Sequence, residues 1–291
     1  MRRRFLLVSN PTAGRRRATL AERVLAELER RGAEIERGPG AFPFANLRDR
    51  IGQNDAVIAC GGDGTLRAVG AALGAADVPV GLVPAGTANV MAHELGLPRD
   101  PAFIADLLLH APAARLEGAE ANGQAFFLMA GVGFDGAVMR GLDTALKRRI
   151  GKAAFAWPLL STLAAPAPRL AVEIDGTAHE AASIIIARAR SYAGRYVLVP
   201  RAGLHRPGLH VVLLRSQSRR ARLRQLVALA RGRLERDRDV MIVPAERVVV
   251  RVEMPVPVQL DGDPAGTTPL DVRTGGPRLN LIVPPAFLRP G

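Results

Sequence analysis

Hydrophobic positions in the first 115 residues alternate between two kinds of segment. Short continuous apolar runs, which suit buried strands, are separated by stretches in which apolar residues recur at helical spacing. Leu20, Val24 and Leu28 have this spacing, and Gly32 marks the end of the helix that they predict. Strands are predicted at 5–8, 56–60 and 80–83, and further helices from about Leu66 and Ala88. This alternation predicts a mostly parallel sheet covered by helices.

Beyond residue 115 the pattern changes to strands joined by tight turns. Asn122-Gly123 lies between the apolar segments 116–121 and 125–130, and both residue types suit a two-residue hairpin turn. Asp175-Gly176 lies in the same way between segments 170–174 and 178–187. Further strands are predicted at 209–214, 247–252 and 279–283, with one helix around 219–233. This half of the chain therefore predicts an antiparallel β domain.

A chain of 291 residues is long enough for two domains, each with its own hydrophobic core. We predict an α/β domain over residues 1–115 and a β-rich domain over residues 116–291. As an alternative for the C-terminal tail, we leave open that it returns to the first domain.

The composition is that of a folded protein, with 48% hydrophobic and 23% charged residues. The single cysteine, Cys60, excludes an intramolecular disulfide. The longest apolar stretch, at 153–165, is shorter than the roughly 20 residues of a spanning helix and contains Pro158. The apolar run at 5–8 is too short for the core of a signal peptide. These features predict a cytoplasmic protein, or one peripheral to the inner face of a membrane.

The formal net charge is +13, and Lys147 and Lys152 are the only lysines among the 40 basic residues. A cationic surface attracts anionic lipid, nucleic acid or phosphorylated substrates. Because only 4% of the residues are aromatic, stacking of bases is poorly supported, and no nucleic-acid partner is expected. A codon bias towards arginine is the alternative origin of the charge.

Turns of small residues follow three of the predicted strands, at 10–14, 61–65 and 84–89. Such turns present backbone N–H groups at the start of a helix, where anions are favoured. In the second turn, Asp63 places a carboxylate where a bound cation or a hydroxyl donor would stabilise it. A turn in which Asp63 caps the next helix is the alternative if this turn stood alone. Since carboxyl ends of parallel strands meet at one edge of an open sheet, the turns predict a shared phosphate site.

Five motifs in this order resemble the diacylglycerol kinase catalytic-domain family, which includes bacterial lipid kinases and the sphingosine and ceramide kinases. The resemblance extends over nearly the whole chain. The motifs are Asn10-Pro11-Thr12-Ala13-Gly14, Gly61-Gly62-Asp63-Gly64-Thr65, Gly86-Thr87-Ala88-Asn89 through Gly96-Leu97-Pro98, Gly131-Val132-Gly133-Phe134-Asp135, and Leu260-Asp261-Gly262-Asp263.

The resemblance implies a nucleotide-binding α/β domain similar to those of NAD kinases and phosphofructokinases, a β-sandwich-like lipid-substrate domain, and an active site between them. It also implies transfer of the γ-phosphoryl group of ATP, with Mg²⁺, to a lipid hydroxyl. Asp63, Asp135 and Asp263 would surround the transfer site, and Asp263 would be the general base. The implied nucleotide-binding residues are Asn10, Pro11, Thr12, Ala13, Gly14, Gly61, Gly62, Asp63, Gly64, Thr65, Leu66, Arg67, Gly86, Thr87 and Asn89.

The chain departs from the family pattern at several positions. Arg67-Ala68 stands where Asn-Glu is usual, and Asp263 stands where Glu is common. Family members usually have a threonine after their second strand, and the corresponding segment 36–40 of this chain has none. Bacterial members often use an Asp-Gly pair to hold a structural Mg²⁺, whereas the segment 204–209 contains Arg206. We therefore predict no structural metal there.

The sequence predicts an ATP-dependent lipid kinase that acts at an anionic membrane surface on a lipid substrate. An NAD kinase-like enzyme is the first alternative, and a non-catalytic nucleotide or phospholipid sensor is the second. Membrane contact is assigned to the arginine-rich stretch 218–238 or to Lys147-Arg148-Arg149 beside Trp157, although an ordinary docked helix at 218–238 is the alternative. Association into a homodimer is left open.

Overall fold

The computed structural model describes residues 1–9, 15–38, 44, 47–74, 76–143, 146 and 151–288. The chain divides into two compact units. The first contains residues 1–117 and 277–291, and the second contains residues 118–276.

The strands are β1 (Arg4–Ser9), β2 (Glu34–Arg37), β3 (Ala56–Gly61), β4 (Val80–Pro84), β5 (Ala113–Glu117), β6 (Ala119–Ala121), β7 (Gln124–Phe126), β8 (Met129–Val132), β9 (Leu170–Ile174), β10 (Thr177–Ala181), β11 (Ser183–Ala187), β12 (Ser191–Tyr192), β13 (Tyr196–Val197), β14 (Leu209–Leu214), β15 (Val240–Ala245), β16 (Arg247–Arg251), β17 (Pro257–Leu260), β18 (Asp263–Thr267), β19 (Leu270–Arg273) and β20 (Arg278–Ile282). The helices are α1 (Arg15–Arg30), α2 (Leu47–Ile51), α3 (Asp63–Leu73), α4 (Val90–Glu94), α5 (Pro101–His110), α6 (Phe134–Arg140), α7 (Ala156–Ala164) and α8 (Arg219–Ala230), with short 3₁₀ turns at Gly151–Phe155, Leu234–Arg236 and Pro285–Leu288.

The first unit is built on a six-stranded sheet with the order β2-β1-β3-β4-β20-β5. All neighbouring strands are parallel except β20 and β5. Every residue of β3 is buried, as expected for a strand covered on both faces. Val24 and Leu28 of α1 and Leu108 of α5 belong to the same core as Ile58 of β3. The predicted α/β domain with a mostly parallel sheet is confirmed.

The strand predicted at 279–283 is present as β20, but it belongs to the parallel sheet of the first unit and not to the antiparallel region. Leu281 is paired with Val80 of β4 and with Ala114 of β5, and its side chain is fully buried. The hydrophobic pattern of such a strand predicts that both of its faces are buried, but it does not indicate which sheet the strand joins.

The second unit contains two six-stranded antiparallel sheets, with the orders β10-β9-β16-β19-β6-β7 and β15-β14-β11-β8-β17-β18. One apolar core is shared by both sheets: Val172 and Val248 come from the first, and Ile184 and Val211 come from the second. Two antiparallel sheets that share a core in this way form a β-sandwich. The predicted β-sandwich-like fold is confirmed.

Both predicted hairpins are present. Asn122-Gly123 joins β6 to β7, and Asp175-Gly176 joins β9 to β10. All four turn residues have positive φ, as a two-residue primed turn requires. Asn and Asp tolerate this conformation better than most residues, which explains why these two dipeptides predicted the turns correctly.

Three segments predicted as single strands are divided. Residues 116–121 form β5 and β6, residues 125–130 form β7 and β8, and residues 178–187 form β10 and β11. In each case the chain leaves one sheet and enters another at the break. The apolar pattern continues through the crossing because both sheets face buried surroundings, so the pattern predicts one long strand.

The arginine-rich helix predicted around 219–233 is observed as α8, which ends at Ala230. No helix in the described part of the chain is both long and apolar enough to cross a membrane.

Candidate functional site

Two of the predicted sites lie outside the described residues. These are the turn at 10–14, predicted to bind nucleotide, and the basic patch at 147–149, predicted to contact a membrane. The remaining predicted residues lie on two loops of the first unit and around one helix of the second.

The turns after β3 and β4 lie side by side, because these parallel strands are neighbours in register, with Gly61 opposite Pro84. The N–H of Ala85 donates to the Gly61 carbonyl at 2.8 Å. A Cβ atom on Gly86 would overlap Gly62 Cα and would lie 2.6 Å from Asn89 Oδ1. Glycine is therefore required for the two turns to approach each other this closely.

Asn89 holds the second turn in shape. Its Oδ1 accepts a hydrogen bond from the Gly86 N–H at 2.8 Å, and its Nδ2 donates to the Gly86 carbonyl at 3.0 Å. Its φ of 49° is in the left-handed region, which Asn adopts more readily than most residues. Asn89 is predicted to contact nucleotide. In the structure, both polar atoms of its side chain form hydrogen bonds with Gly86.

The Asp63 carboxylate joins the two turns. Its Oδ2 accepts from the Val90 N–H and its Oδ1 from the Met91 N–H, both at 2.9 Å. These N–H groups belong to the first turn of α4, whose N-terminus favours an acceptor with negative charge. Asp63 therefore caps a helix, as in the alternative expected from the sequence. The capped helix is α4, however, and not α3, which begins at Asp63 itself. A direct role for Asp63 in phosphoryl transfer stays a prediction.

The other residues of the glycine motif differ in what they offer a ligand. The Leu66 side chain is buried in the core, so only its backbone faces the turn. Thr65 is also buried, and its N–H donates to the Gly62 carbonyl at 3.0 Å. Gly64, Arg67 and Thr87 remain partly exposed.

Asp135, in the first turn of α6, is a buried carboxyl with two side-chain donors. The Tyr192 hydroxyl donates to Oδ1, and Gln259 Nε2 donates to Oδ2 at 2.6 Å. Burial raises the pKa of the Asp135 carboxyl above its ordinary value of 3.8, because loss of hydration outweighs these two hydrogen bonds. Burial, followed by the neighbouring Asp135 charge, also raises the pKa of Tyr192 well above 10.

Glycines make room for this carboxyl. A Cβ on Gly131 would overlap Asp135 Oδ2, and a Cβ on Gly136 would overlap the Pro257 carbonyl. The backbone of α6 therefore lies directly against β17, which brings Asp135 within reach of Gln259 on that strand. Gly131 of the motif and the adjacent Gly136 are therefore both needed for this packing.

The motif at 260–263 is a β-hairpin. Asp261 and Gly262 have φ values of 50° and 85° and form the turn between β17 and β18. Asp261 is buried, and its carboxylate accepts from three successive backbone N–H groups, those of Phe127, Leu128 and Met129, at 2.8–3.0 Å. Asp261 thus holds the hairpin onto the start of β8.

Asp263 is the first residue after this turn and is partly exposed. Gln259 connects the turn to Asp135, because its Oε1 accepts from the Gly262 N–H at 2.7 Å while its Nε2 donates to Asp135. The sequence motifs do not predict Gln259 or Tyr192. A glutamine inside an otherwise apolar strand was an available signal, whereas Tyr192 lies in a short strand that no pattern predicted.

The second unit has a cavity of about 1210 Å³. Asp135 and Tyr192 contribute to its lining, while Asp263 does not. Most of the lining is apolar and comes from both sheets, α7, α8 and the segment 252–257; it includes Ile185, Leu214, Leu226, Leu229, Val252 and Val256.

Two family models match the chain. The diacylglycerol kinase catalytic domain matches residues 4–121, and the YegS C-terminal NAD kinase beta sandwich-like domain matches residues 129–284. Residues 4–121 therefore belong to the diacylglycerol kinase catalytic-domain family, and residues 129–284, more than half of the chain, belong to the YegS C-terminal family that accompanies it.

Individual members of the family resemble the chain over almost its whole length. The diacylglycerol kinase of Bacillus subtilis (strain 168) is 27% identical over 279 residues, which are 92% of each chain. The diacylglycerol kinase of Mycobacterium tuberculosis (strain ATCC 25618 / H37Rv) is 29% identical over 296 residues, which are 95% of this chain and 94% of the relative. Family membership and these names support a kinase-type function of the diacylglycerol or lipid class.

Two solved structures from Bacillus anthracis str. Sterne share the fold. The first, a putative diacylglycerol kinase, has a TM-score of 0.79 at 22% identity, and the match covers 99% of this chain and 97% of the other chain. The other, described as a diacylglycerol kinase, has a TM-score of 0.71 at 21% identity and covers 99% of both chains.

The structural Mg²⁺ implied by the family does not fit the residues at 204–208. The buried Arg188 guanidinium donates to the carbonyls of Arg206 at 3.4 Å and Gly208 at 3.2 Å. No cluster of three or more His, Cys, Asp or Glu side chains occurs in the described ranges. A hard cation needs several oxygen ligands, and here a fixed positive charge already occupies two carbonyls. An arginine thus holds this loop.

Substitution of Asp63 by Asn tests its joining role. The amide has one acceptor oxygen and presents an N–H₂ group to a backbone N–H, so one hydrogen bond is lost. We expect the free energy of unfolding to fall by about 1–3 kcal/mol in urea titrations. Asp77→Asn, at an exposed ion pair, is the control and should cost less than about 1 kcal/mol. Unchanged stability with abolished phosphoryl transfer would contradict the joining role and indicate direct action on the substrate.

Substitution of Asp135 by Asn tests the raised pKa. With the folded pKa above 3.8, the unfolded chain loses its proton first as pH rises. The carboxyl therefore contributes stability below about pH 3.8 that is lost as pH rises through the folded pKa. Relative to wild type, Asp135→Asn should gain stability as pH increases over this window, measured by urea unfolding at several pH values. Parallel curves for the two proteins would show that the pKa is not raised.

Substitution of Arg188 by Met tests the internal cation. The variant leaves two carbonyls without a donor, and we expect about 1–3 kcal/mol of lost stability per carbonyl group. Arg195→Met, an exposed arginine of the same unit, is the control. The melting temperature of the wild-type protein should not change with EDTA or with Mg²⁺ in the absence of nucleotide. A saturable rise with Mg²⁺ would indicate a structural metal after all.

Proposed function

We propose that the protein is an ATP-dependent lipid kinase that transfers the γ-phosphoryl group of ATP to a lipid hydroxyl. The observation that supports this most is the cavity of the second unit, in which a largely apolar lining includes the buried Asp135 and its hydrogen-bond partner, the partly buried Tyr192. Family membership supplies the kinase-type chemistry, and the cavity supplies the argument for a lipid acceptor.

The size and lining of the cavity suit an acyl chain. Small-molecule pockets usually have volumes of about 300–1,000 Å³. At about 1210 Å³ this cavity exceeds that range. Apolar side chains form most of its lining, and charged side chains such as Arg140, Arg169 and Arg251 also contribute to it. Acyl chains gain free energy from such burial in proportion to their apolar area, about 25 cal/mol per Å².

The polar pair would orient the acceptor hydroxyl. Each carboxylate oxygen has two lone pairs, and each oxygen of Asp135 has one side-chain donor within the protein. One lone pair on an oxygen is therefore left for a lipid O–H. Tyr192 fixes the carboxyl in position from the other side, so the hydroxyl would meet a rigid acceptor.

The turns at 61–65 and 86–89 would bind the triphosphate. Their glycines permit close approach of phosphate oxygens to the backbone, and Thr87 and Arg67 remain partly exposed beside them. Mg²⁺ bound to ATP would neutralise charge on the transferred phosphoryl group. Asp63 would act by holding the two turns together, and the implied contacts of Asn10, Pro11, Thr12, Ala13 and Gly14 are part of this proposal.

Asp263 is the proposed general base. It follows a turn that is tied to Asp135 through Gln259, so its backbone is held by the same buried network. An aspartate extends about one bond less than the glutamate common in the family, so transfer of the proton either requires closer approach of the hairpin to the hydroxyl or proceeds through a water molecule.

Asp263→Ala should lower turnover by about 10²–10⁴-fold, the usual share of general acid–base catalysis, with nucleotide affinity little changed. Asp263→Glu should retain activity. Steady-state kinetics on a lipid acceptor, together with titration of a fluorescent ATP analogue, would measure both. If the alanine variant turns over at the wild-type rate, the base is a different group.

The proposal is tested by transfer of label from γ-labelled ATP to a panel of acceptors. The panel contains diacylglycerol, phosphatidylglycerol, a sphingoid base and NAD. Label on any of the three lipids supports a lipid kinase and identifies the acceptor class. Label on NAD alone indicates an NAD kinase-like enzyme, and nucleotide binding without transfer indicates a sensor.

A further inference from the structure

Exposed apolar side chains are concentrated on the elements that border the cavity of the second unit. Apart from Met1, the most exposed large apolar side chains in the described ranges are those of Met254 (78%), Trp157 (76%), Leu160 (60%) and Leu223 (54%). They lie on the segment 252–257, on α7 and on α8, and each of these elements also supplies residues to the cavity lining. We call these four residues the rim surface.

Helix α7 presents an apolar face to solvent. Its nine residues include no charged side chain, and Trp157, Leu160 and Ala164 are exposed at helical spacing, while Pro158 is buried on the opposite side. A solvated helix of a soluble protein normally has the reverse arrangement. An exposed apolar face next to a ligand cavity is typical of a surface that a partner covers.

Helix α8 continues this face and adds positive charge. Leu223 and Val227 are exposed on it one turn apart, and Arg219 lies one turn before Leu223. The buried Arg222 guanidinium donates to the carbonyls of Thr162 at 2.9 Å and Ala165 at 2.8 Å, at the C-terminal end of α7. The two exposed faces are therefore held on neighbouring helices.

The charge around the rim surface favours an anionic partner. Helix α8 contains four arginines and no acidic residue. Four exposed arginines on and after it, Arg219, Arg220, Arg231 and Arg233, form no ion pair with any described residue. A second copy of this chain would bring the same cations to the interface and would be repelled. Anionic lipid headgroups would be attracted.

We infer that the rim surface inserts into the headgroup region of an anionic bilayer, with the exposed arginines Arg219, Arg220, Arg231 and Arg233 against the lipid phosphates. This inference rests on the proposed function and identifies the surface through which the cavity would receive its lipid. Tryptophan is favoured at the boundary between acyl chains and headgroups, which is the depth this arrangement gives to Trp157. A lipid would then enter the cavity without exposing its acyl chains to water.

Trp157 is the only tryptophan of the chain and therefore reports on its own surroundings. Its emission in the full-length protein should shift to the blue when vesicles of phosphatidylcholine and phosphatidylglycerol are added. Phosphatidylglycerol with brominated acyl chains should quench it. Pure phosphatidylcholine vesicles should have little effect, and binding should weaken steeply with salt because charges are screened beyond about 10 Å at 0.1 M ionic strength.

The double variant Leu160→Asp, Leu223→Asp should bind the anionic vesicles at least tenfold more weakly than the wild-type protein does. Neither side chain lines the cavity. Transfer to a short-chain diacylglycerol dispersed in water should stay within about twofold of wild type, which also shows that the variant is folded. Met241→Asp, at a 38% exposed position on β15 of the same unit, is the matched control and should bind as wild type does.

An unshifted Trp157 spectrum, or equal vesicle binding by the double variant and wild type, would overturn the inference. Concentration-dependent self-association that the double variant abolishes, without vesicle binding, would assign the surface to a homodimer and overturn it also. Failure of the proposed function looks different. In that case the Trp157 signal and its loss in the variant are observed, but no lipid in the panel receives label.

Discussion

The buried carboxyl of Asp135 depends on two side-chain donors beside the cavity of the second unit, and the packing around it follows from this requirement. Loss of hydration is costly for a carboxylate unless hydrogen bonds replace the water. Glycine at 131 and 136 brings α6 against β17, so that Gln259 can reach one oxygen, and Tyr192 reaches the other. Because Gln259 also accepts from the turn at Gly262, the position of the candidate base Asp263 depends on the same contacts.

Two other aspartates of the family motifs accept hydrogen bonds from backbone N–H groups. Asp63 accepts from two N–H groups of α4, and Asp261 accepts from three N–H groups before and within β8. In both cases a carboxylate connects segments that are distant in sequence but must lie together for the site to form. These motif residues therefore contribute to packing, whatever further role they have in the reaction.

The apolar cavity, the rim surface and the exposed arginines on and after α8 together form the proposed route for a lipid. In this proposal, burial of the acyl chains would favour entry into the cavity, and attraction between the arginines and lipid headgroups would hold the protein at the bilayer. The net charge of +13 would favour such contact with an anionic bilayer. Arg222 links these properties, since one buried guanidinium fixes the two helices that border the cavity.

The sequence by itself determined the fold class, the two Asn-Gly and Asp-Gly hairpins and the place of the glycine turns, because each depends on local periodicity or on a residue that tolerates positive φ. It also determined the family, since five short motifs in order are specific even when each is weak. Tertiary structure decided the rest. In the tertiary structure, β20 belongs to the first sheet, and three predicted strands are each divided between two sheets. Asp63 accepts hydrogen bonds from α4, and Asp135 accepts from Gln259 and Tyr192. These are contacts between residues far apart in the chain, and neither hydrophobic pattern nor local propensity contains information on which distant backbone or side chain will be the partner.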